Sequence, residues 1–328
     1  MKKLLALLPL FSFATASAGD WGLPEQASTF AADVDWMMAF INWLCVFFFV
    51  LIMALMGYFM WKYRGTPDKP AEESTDHNTP LELTWTLIPL GLVVFIFYWG
   101  FQGYMNIMIP PTDAYEVQIT GQKWSWSFGY PNGHTDNELH APAGQKVRLL
   151  MTSVDVLHSF YVPAFRTKHD LVPGRYTKLW FQSDKPGTYQ VYCAEYCGRD
   201  HSNMLTKVVI HEPGGFEKWL ADASNVHGKG DPPAKVGEIL AKKRGCFQCH
   251  SIDGTPGIGP TWKGIWGKQE ALQGGGSVTV DENYIKQSII EPQAQIVAGF
   301  APVMPTYKTQ FKDPRDFTAI AKYIESLK

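Results

Sequence analysis

Between Cys193 and Met204 the chain reads CAEYCGRDHSNM. Cys197 follows Cys193 at four residues, His201 stands four further on, and Met204 three beyond that. Thiolate, imidazole and thioether are ligands that suit copper in its softer states. Two thiolates can each bridge two metals, so the set exceeds what one copper needs. A second nitrogen is offered by Asp155-Val156-Leu157-His158-Ser159-Phe160, which places His158 at the end of an earlier candidate strand. The pattern points to two coppers bridged by both sulfurs. One is completed by a histidine and Met204, the other by a histidine and a backbone carbonyl, that of Glu195. An electron shared over two coppers spreads the change in charge and keeps reorganisation small, which is electron-transfer chemistry. The plain alternative is a disulfide between Cys193 and Cys197, the ordinary state of nearby cysteines in an exported protein. A disulfide has no use for His158, His201 or Met204. Zinc is the other rival, and a thioether is a poor zinc ligand.

A second signature is Cys246-Phe247-Gln248-Cys249-His250, the C-x-x-C-H pattern of c-type haem attachment. Cys246 and Cys249 would form thioether bonds to the haem vinyl carbons, with His250 placed to ligate the iron. The segment GFAPVMP, from Gly299 to Pro305, contains the one methionine after Met204. Met304 is therefore the expected sixth ligand. Methionine opposite histidine raises the haem potential and leaves no open position for oxygen. The alternative for Met304 is a core side chain, which the flanking prolines disfavour. The other histidines (His77, His134, His140, His169, His211, His227) have no ligand spacing and are expected at the surface. Cys45 reads as a small apolar residue inside a helix.

The elements that position these groups can be read outward from them. The chain has 328 residues, enough for two or three domains, and a formal net charge of -2 that does not describe a nucleic-acid binder. Its start, MKKLLALLPLFSFATASAG, has the form of a secretory signal peptide spanning 1–18; an uncleaved amphipathic start is the alternative. Trp36 to Trp61 and Leu83 to Met108 carry no charge, and each exceeds the roughly 20 residues that span a bilayer core. Trp and Tyr at their ends fit interface anchors. Residues 19–110 are thus expected to form a transmembrane hairpin. Lys62, Arg64 and Lys69 in the connection put the short loop in the cytoplasm and both termini outside. From about 111 to 221, short β-type runs alternate with turn signals such as Pro131-Asn132-Gly133 and Lys185-Pro186-Gly187, the pattern of an antiparallel sandwich. Residues 222–235 are Gly, Pro and polar rich and read as a linker. Helical patterns at Val236 to Arg244 and Phe317 to Leu327 belong to a last domain, 236–328.

DVLHSF followed by CAEYCGRDHSNM resembles the CuA-binding subunit II of haem-copper oxidases, and GQKWSWSFGY and LELTWTLIP resemble its other familiar segments. This resemblance covers about Trp36 to Glu212. Val236 to Lys328 resembles a small class I cytochrome c, where Gly259-Pro260 also fits. The whole resembles the subunit II of bacterial cytochrome c oxidases that carry their own cytochrome c domain. The fold implied is a multidomain membrane protein: a two-helix transmembrane hairpin, an all-β cupredoxin-like sandwich and an all-α class I cytochrome c domain. The resemblance implies CuA held by His158, Cys193, Glu195 through its carbonyl, Cys197, His201 and Met204. It places Trp124 at the family's electron-input tryptophan, and the Glu195 side chain at a magnesium site shared with subunit I. Glu82 falls at the family's glutamate by the mouth of a proton channel, though its plain reading is an interfacial carboxylate. Lys123 departs from a glutamine common before the tryptophan.

The function implied is electron input to a respiratory, proton-translocating cytochrome c oxidase. Electrons from cytochrome c or a neighbouring respiratory complex would pass through one covalent haem c and CuA to the oxygen-reducing centre of subunit I, with subunit III a further partner. The implied location is a bacterial inner membrane, with both cofactor domains on the periplasmic side. The alternative is a membrane-anchored copper-binding or cytochrome c module outside any oxidase. A nitrous oxide reductase would need many more histidines than the nine present, and quinol oxidases lack the copper ligands.

Overall fold

The computed structural model describes residues 22–65, 77–308 and 310–328. The expected signal peptide and Lys69 lie outside the described residues. Two units emerge, one built on the long N-terminal helices and the other on nearly everything after Met108.

The first unit is a helical hairpin. Helix α1 runs Ala31–Lys62 and α2 runs Thr79–Met108. Their side chains are apolar all round and exposed, as suits helices surrounded by lipid. Trp36 meets Trp99 at 6.1 Å and Phe40 meets Phe95 at 5.1 Å, which fixes the antiparallel pairing. Both helices begin a few residues earlier than the uncharged runs, because Asp33 and Glu82 are accommodated in their first turns and Asp35 just after the first turn of α1. Asp35 is buried and accepts a hydrogen bond from Gln26 Nε2 at 2.7 Å.

The second unit opens with a β-sandwich. Strands β1 (Tyr115–Gln122), β2 (Ser125–Gly129), β3 (Thr135–Asp136), β5 (Lys146–Ser153) and β8 (Thr177–Gln182) form one sheet in the order β3-β2-β1-β5-β8. The other is β4-β10-β9-β6-β7, from β4 (Leu139–Pro142), β10 (Leu205–His211), β9 (Gly187–Cys193), β6 (His158–Val162) and β7 (Thr167–Leu171). The alternation in β5 sends Val147, Leu149 and Met151 inward, each fully buried. The sandwich is not wholly antiparallel: β1 pairs parallel with β5, and β4 with β10. Strands between those partners carry the chain to the opposite sheet and back, and such crossovers permit parallel neighbours.

Helix α3 (Gly215–Ser224) follows, then a short 3-10 turn at His227–Lys229. The cytochrome-like part contains α4 (Pro233–Lys243), a small ribbon of β11 (Gln269–Ala271) and β12 (Ser277–Thr279), α5 (Glu282–Ile290) and α6 (Pro314–Ser326). Helices α4 and α6 cross so closely that a Cβ on Gly237 would lie 2.0 Å from the Ala319 carbonyl oxygen, so only glycine fits. Leu240, Ala241, Ile320 and Ile324 form the core around that crossing. Asp313 caps α6 by accepting from Arg315 N at 2.9 Å, with Pro314 at the first helical position.

The histidine expectation needs correction. His134 and His140 are buried rather than at the surface, because α3 folds back over β4 and β10. His140 stacks on Trp219 with ring centroids 3.8 Å apart, and its Nδ1 lies 2.9 Å from His211 Nε2. His134 pairs with Asp136 at 3.4 Å. His227, also half-buried, bonds Asp316 at 2.7 Å.

Burial lowers His140 from 6.5 to about 4, with Asp136 only partly offsetting it. Between these values the unfolded chain binds a proton that the fold excludes. Stability therefore falls as pH drops from 6.5 toward 4, by roughly 3 kcal/mol in full, and is level below. His134, His169 and His211 are lowered as well and add in the same direction. The guanidinium unfolding midpoint of a fragment from Thr112 onward should be lower near pH 5 than near pH 7.5. His140→Phe should flatten much of that slope; an unchanged slope would contradict the assignment.

Candidate metal centres

The antiparallel pairing of β6 with β9 sets Phe160 opposite Cys193 and so brings His158 beside the first cysteine. His158 is the first residue of β6, not the last of the preceding strand, because β5 ends at Ser153 and a short loop intervenes. Residues 194–204 form the loop from β9 to β10. Within it a 3-10 turn at His201–Asn203 brings His201 back toward Cys197.

Five candidate side chains and one carbonyl converge. Cys193 Sγ lies 3.8 Å from Cys197 Sγ, 3.9 Å from His158 Nδ1 and 3.3 Å from the Glu195 carbonyl oxygen. Cys197 Sγ lies 3.4 Å from His201 Nδ1 and 3.8 Å from Met204 Sδ. The ligand atoms of His158, Cys193 and Cys197 all fall within 4.8 Å of one another. Both cysteines are free. At 3.8 Å their sulfurs are far beyond the ~2.05 Å of a disulfide. With metal–sulfur bonds of about 2.3 Å, two sulfurs sharing a metal at near-tetrahedral angles stand roughly 3.8 Å apart. The spacing suits bridging thiolates.

The electrostatics fit a cation as well. Burial disfavours ionisation of Cys193, but hydrogen bonds from His158 and from the Ser159 backbone outweigh it and bring the thiol down to about 7. Burial and the charge on Cys193 then push Cys197 up to about 12. Two adjacent thiolates need positive charge between them. Asp155 Oδ1 is 2.8 Å from His158 Nε2. With Nε2 committed to Asp155, it is Nδ1 that faces the sulfurs and could turn from donating to Cys193 to ligating a metal. Asp155 stood in the DVLHSF segment without an assigned role; its spacing three before His158 is the available signal.

Around this centre, Met204 and His158 are fully buried and Trp126 nearly so. Trp126 Nε1 donates to the Met204 carbonyl at 3.3 Å, and its ring stands edge-on to His158. Trp124 is also buried, and a Cβ on Gly198 would come within 3.3 Å of its ring. The Glu195 side chain is exposed while its carbonyl faces the sulfurs. Glu82 lies in the first turn of α2, where it accepts from Asn78 N at 3.0 Å and pairs with His77 at 3.0 Å.

The second centre is an apolar cleft in the last domain, about 1300 Å³ including its mouth, and lined by Cys246, Cys249, His250, Met304 and Tyr307. His250 Nδ1 is 2.8 Å from the Pro260 carbonyl oxygen, so the ring donates there and Nε2 is left for a metal. A Cβ on Gly259 would lie 2.7 Å from His250 Cε1, so the Gly259-Pro260 turn is fitted to that ring. Gln293 Nε2 donates to the carbonyls of Pro302 and Met304 at 3.2 and 3.1 Å and holds the methionine loop. The donor set and the apolar walls fit a haem gripped from both faces.

Three family models match this chain: cytochrome c oxidase subunit II, transmembrane domain, over residues 16–102; its periplasmic domain over 132–212; and cytochrome c over 234–328. Cytochrome c oxidase subunit 2 of Alkalihalophilus pseudofirmus is 31% identical over 290 residues, covering 85% of this chain and 82% of that protein. Alternative cytochrome c oxidase subunit 2 of Bradyrhizobium diazoefficiens is 32% identical over 211 residues, covering 54% and 76%. A solved periplasmic domain of subunit II from Bradyrhizobium japonicum is 30% identical, covering 35% of this chain and 97% of that one, with a TM-score of 0.34. With a relative so similar along nearly its whole length, and with a hairpin, a copper-type loop and a haem-type cleft in sequence order, the chain belongs to the cytochrome c oxidase subunit II family and carries a fused cytochrome c domain.

Proposed function

We propose that, within the haem-copper oxidase it serves as electron-input subunit, this chain takes electrons at its cytochrome domain and hands them on from its copper domain. The observation that carries this reading is the 3.8 Å separation of two buried, unbonded sulfurs inside a ring of histidine, methionine and carbonyl donors. When bound, a binuclear copper and a covalent haem supply one-electron carriers whose surroundings need little rearrangement on each transfer.

The chain's own groups account for that small rearrangement. Cys193 and Cys197 would hold the copper through their thiolates, His158 and His201 would each supply a nitrogen, and Met204 and the Glu195 carbonyl would complete the donor set. Asp155 holds the His158 ring in one tautomer, and the burial of Met204 and His158 keeps water out. In the cleft, Cys246 and Cys249 would anchor a haem, His250, oriented by the Pro260 carbonyl, would ligate its iron, and Met304 would supply the other ligand. The exposed Glu195 carboxylate is free to reach a magnesium ion at a boundary with subunit I. Glu82, at the start of a membrane helix and outside its apolar span, is suited to collect protons. We place 1–18 as a signal peptide, 19–110 as the hairpin, 111–221 as the copper domain, 222–235 as the connection and 236–328 as the cytochrome domain. The two cofactor domains stand on the periplasmic side of a bacterial inner membrane, with subunits I and III as partners and a cytochrome c or neighbouring complex as donor.

In the assembled oxidase, His158→Ala, Cys193→Ser and Cys197→Ser should each reduce oxygen consumption to background while the c-type haem absorption persists. Full turnover in His158→Ala would sink the copper assignment. Cys249→Ser should lose haem that survives denaturing electrophoresis, or retain it through a single bond. Met304→Ala should convert the haem spectrum from low-spin toward high-spin and lower its potential. An unchanged spectrum in that variant would remove Met304 as the axial ligand.

A further inference from the structure

The sandwich and the cytochrome domain belong to one unit, and they meet at a sheet edge. Strand β3 is the last of its sheet and pairs with β2 on one side only. Its other side presents backbone groups that a fold must cover or leave open to another chain. The end of α4 covers it. Arg244 Nη1 donates to the Thr135 carbonyl, and Lys243 Nζ lies 3.4 Å from Asp136 Oδ2. Both cations stand just before Gly245-Cys246. A Cβ on Gly245 would sit 3.9 Å from Asn137 Cβ, so the turn that leads into the first cleft cysteine lies against the sandwich.

Asp136 is arranged to receive that charge. The residue is buried, and its Oδ1 accepts from the amides of Asn137 at 2.8 Å and Glu138 at 3.3 Å, which fixes the carboxylate. Oδ2 is left facing Lys243 Nζ and His134 Nε2, each at 3.4 Å. Lys243 is gripped in turn: Nζ donates to the Ala223 carbonyl at 3.4 Å and stands 6.0 Å from the centre of the Trp219 ring. A buried carboxylate that loses its cation keeps its desolvation cost without the compensating charge, so breaking one side of such a pair is severe. Beside it the junction is a largely polar cavity, lined among others by Asn132, His134, Arg244, Lys312 and Asp316, in place of a packed apolar face. The junction therefore depends on its few charged contacts.

We propose that Asp136 and Lys243 are positioning residues: with Arg244 they seat the cytochrome domain on the open edge of the sandwich. The turn carrying Cys246 then keeps one place relative to the copper loop and does not swing on the 222–235 connection. This rests on the reading of the two centres as a haem and a copper carrier. Neither Asp136 nor Lys243 lines the haem cleft, and no bond or proton changes at either during transfer.

The test uses the assembled oxidase, with the cytochrome haem reduced by a photoexcited ruthenium complex and the copper centre followed in the near infrared at increasing sucrose. The wild type should show one transfer phase that does not respond to viscosity. Lys243→Met keeps the stem beside Trp219 and removes the charge, while Asp136→Asn keeps an acceptor for the amides of Asn137 and Glu138. Each should split the transfer into two phases, the second several-fold slower and slowing further with viscosity. Haem spectrum, haem potential and copper paramagnetic resonance should stay unchanged. Lys243→Arg should restore the single phase, and the double variant should be no slower than the slower single one, because both remove one shared contact. Trypsin should cut the 222–235 connection several-fold faster in Lys243→Met and Asp136→Asn than in the wild type. A wild-type phase that slows with viscosity would overturn the proposal, as would a single wild-type phase in both Lys243→Met and Asp136→Asn, or unchanged cleavage in both. If the wild type showed no haem-to-copper phase while cleavage still rose in the variants, the seat would stand and the reading of the two centres would fail.

Discussion

Two buried sulfurs held 3.8 Å apart without a bond impose the constraint to which the copper-side architecture responds. The charge on one thiolate opposes ionisation of the other, as the opposite displacements of Cys193 and Cys197 record. Burial sharpens the conflict, because a low-dielectric site screens like charges poorly. A rigid frame is needed to keep the pair from relaxing into a disulfide or swinging out to water. The frame is the β6–β9 pairing, which fixes Cys193 against His158, and the short return at His201–Asn203, which fixes the far side of the loop. Asp155 then sets the ring of His158, at the cost of placing a carboxylate near the site.

The haem cleft solves a different problem with similar means. Its cysteines are individually unremarkable thiols pushed upward by burial, to about 12 and about 11. They are suited to be consumed in bonds rather than to bind as free thiolates. What must be exact is the ring of His250, and the Pro260 carbonyl and the absent side chain of Gly259 fix it from two directions. The α4–α6 crossing at Gly237 holds α6, whose Ile320 and Ile324 line the cleft, close against α4, because any larger residue would separate the two helices.

The convergence of Cys193, Cys197, His201 and Met204 was legible in the sequence because the four lie in one short segment, so that spacing alone carries the geometry. His158 was legible through its local motif, although its place at the head of β6 was not. Strand β4 is buried at every position and so shows no alternation from which it could be read. The burial of His134 and His140 depends on α3, a ten-residue helix whose polar end merges into linker-like composition. No local pattern announces that Trp219 will lie flat on His140.

Tethering a donor domain changes what the acceptor surface must do. A free donor has to find an exposed patch, dock and leave, which favours an accessible ring at the point of input. A fused donor acts at an effective concentration set by its connection rather than by diffusion. The connection here is short and held at several points: Lys229 pairs with Asp222 at 2.6 Å, His227 with Asp316, and Asn132 with Ser224 at 2.9 Å. Under those conditions an exposed ring is no longer required, and burial becomes an advantage because it excludes water from the contact. The enclosure of Trp124 is what that argument requires.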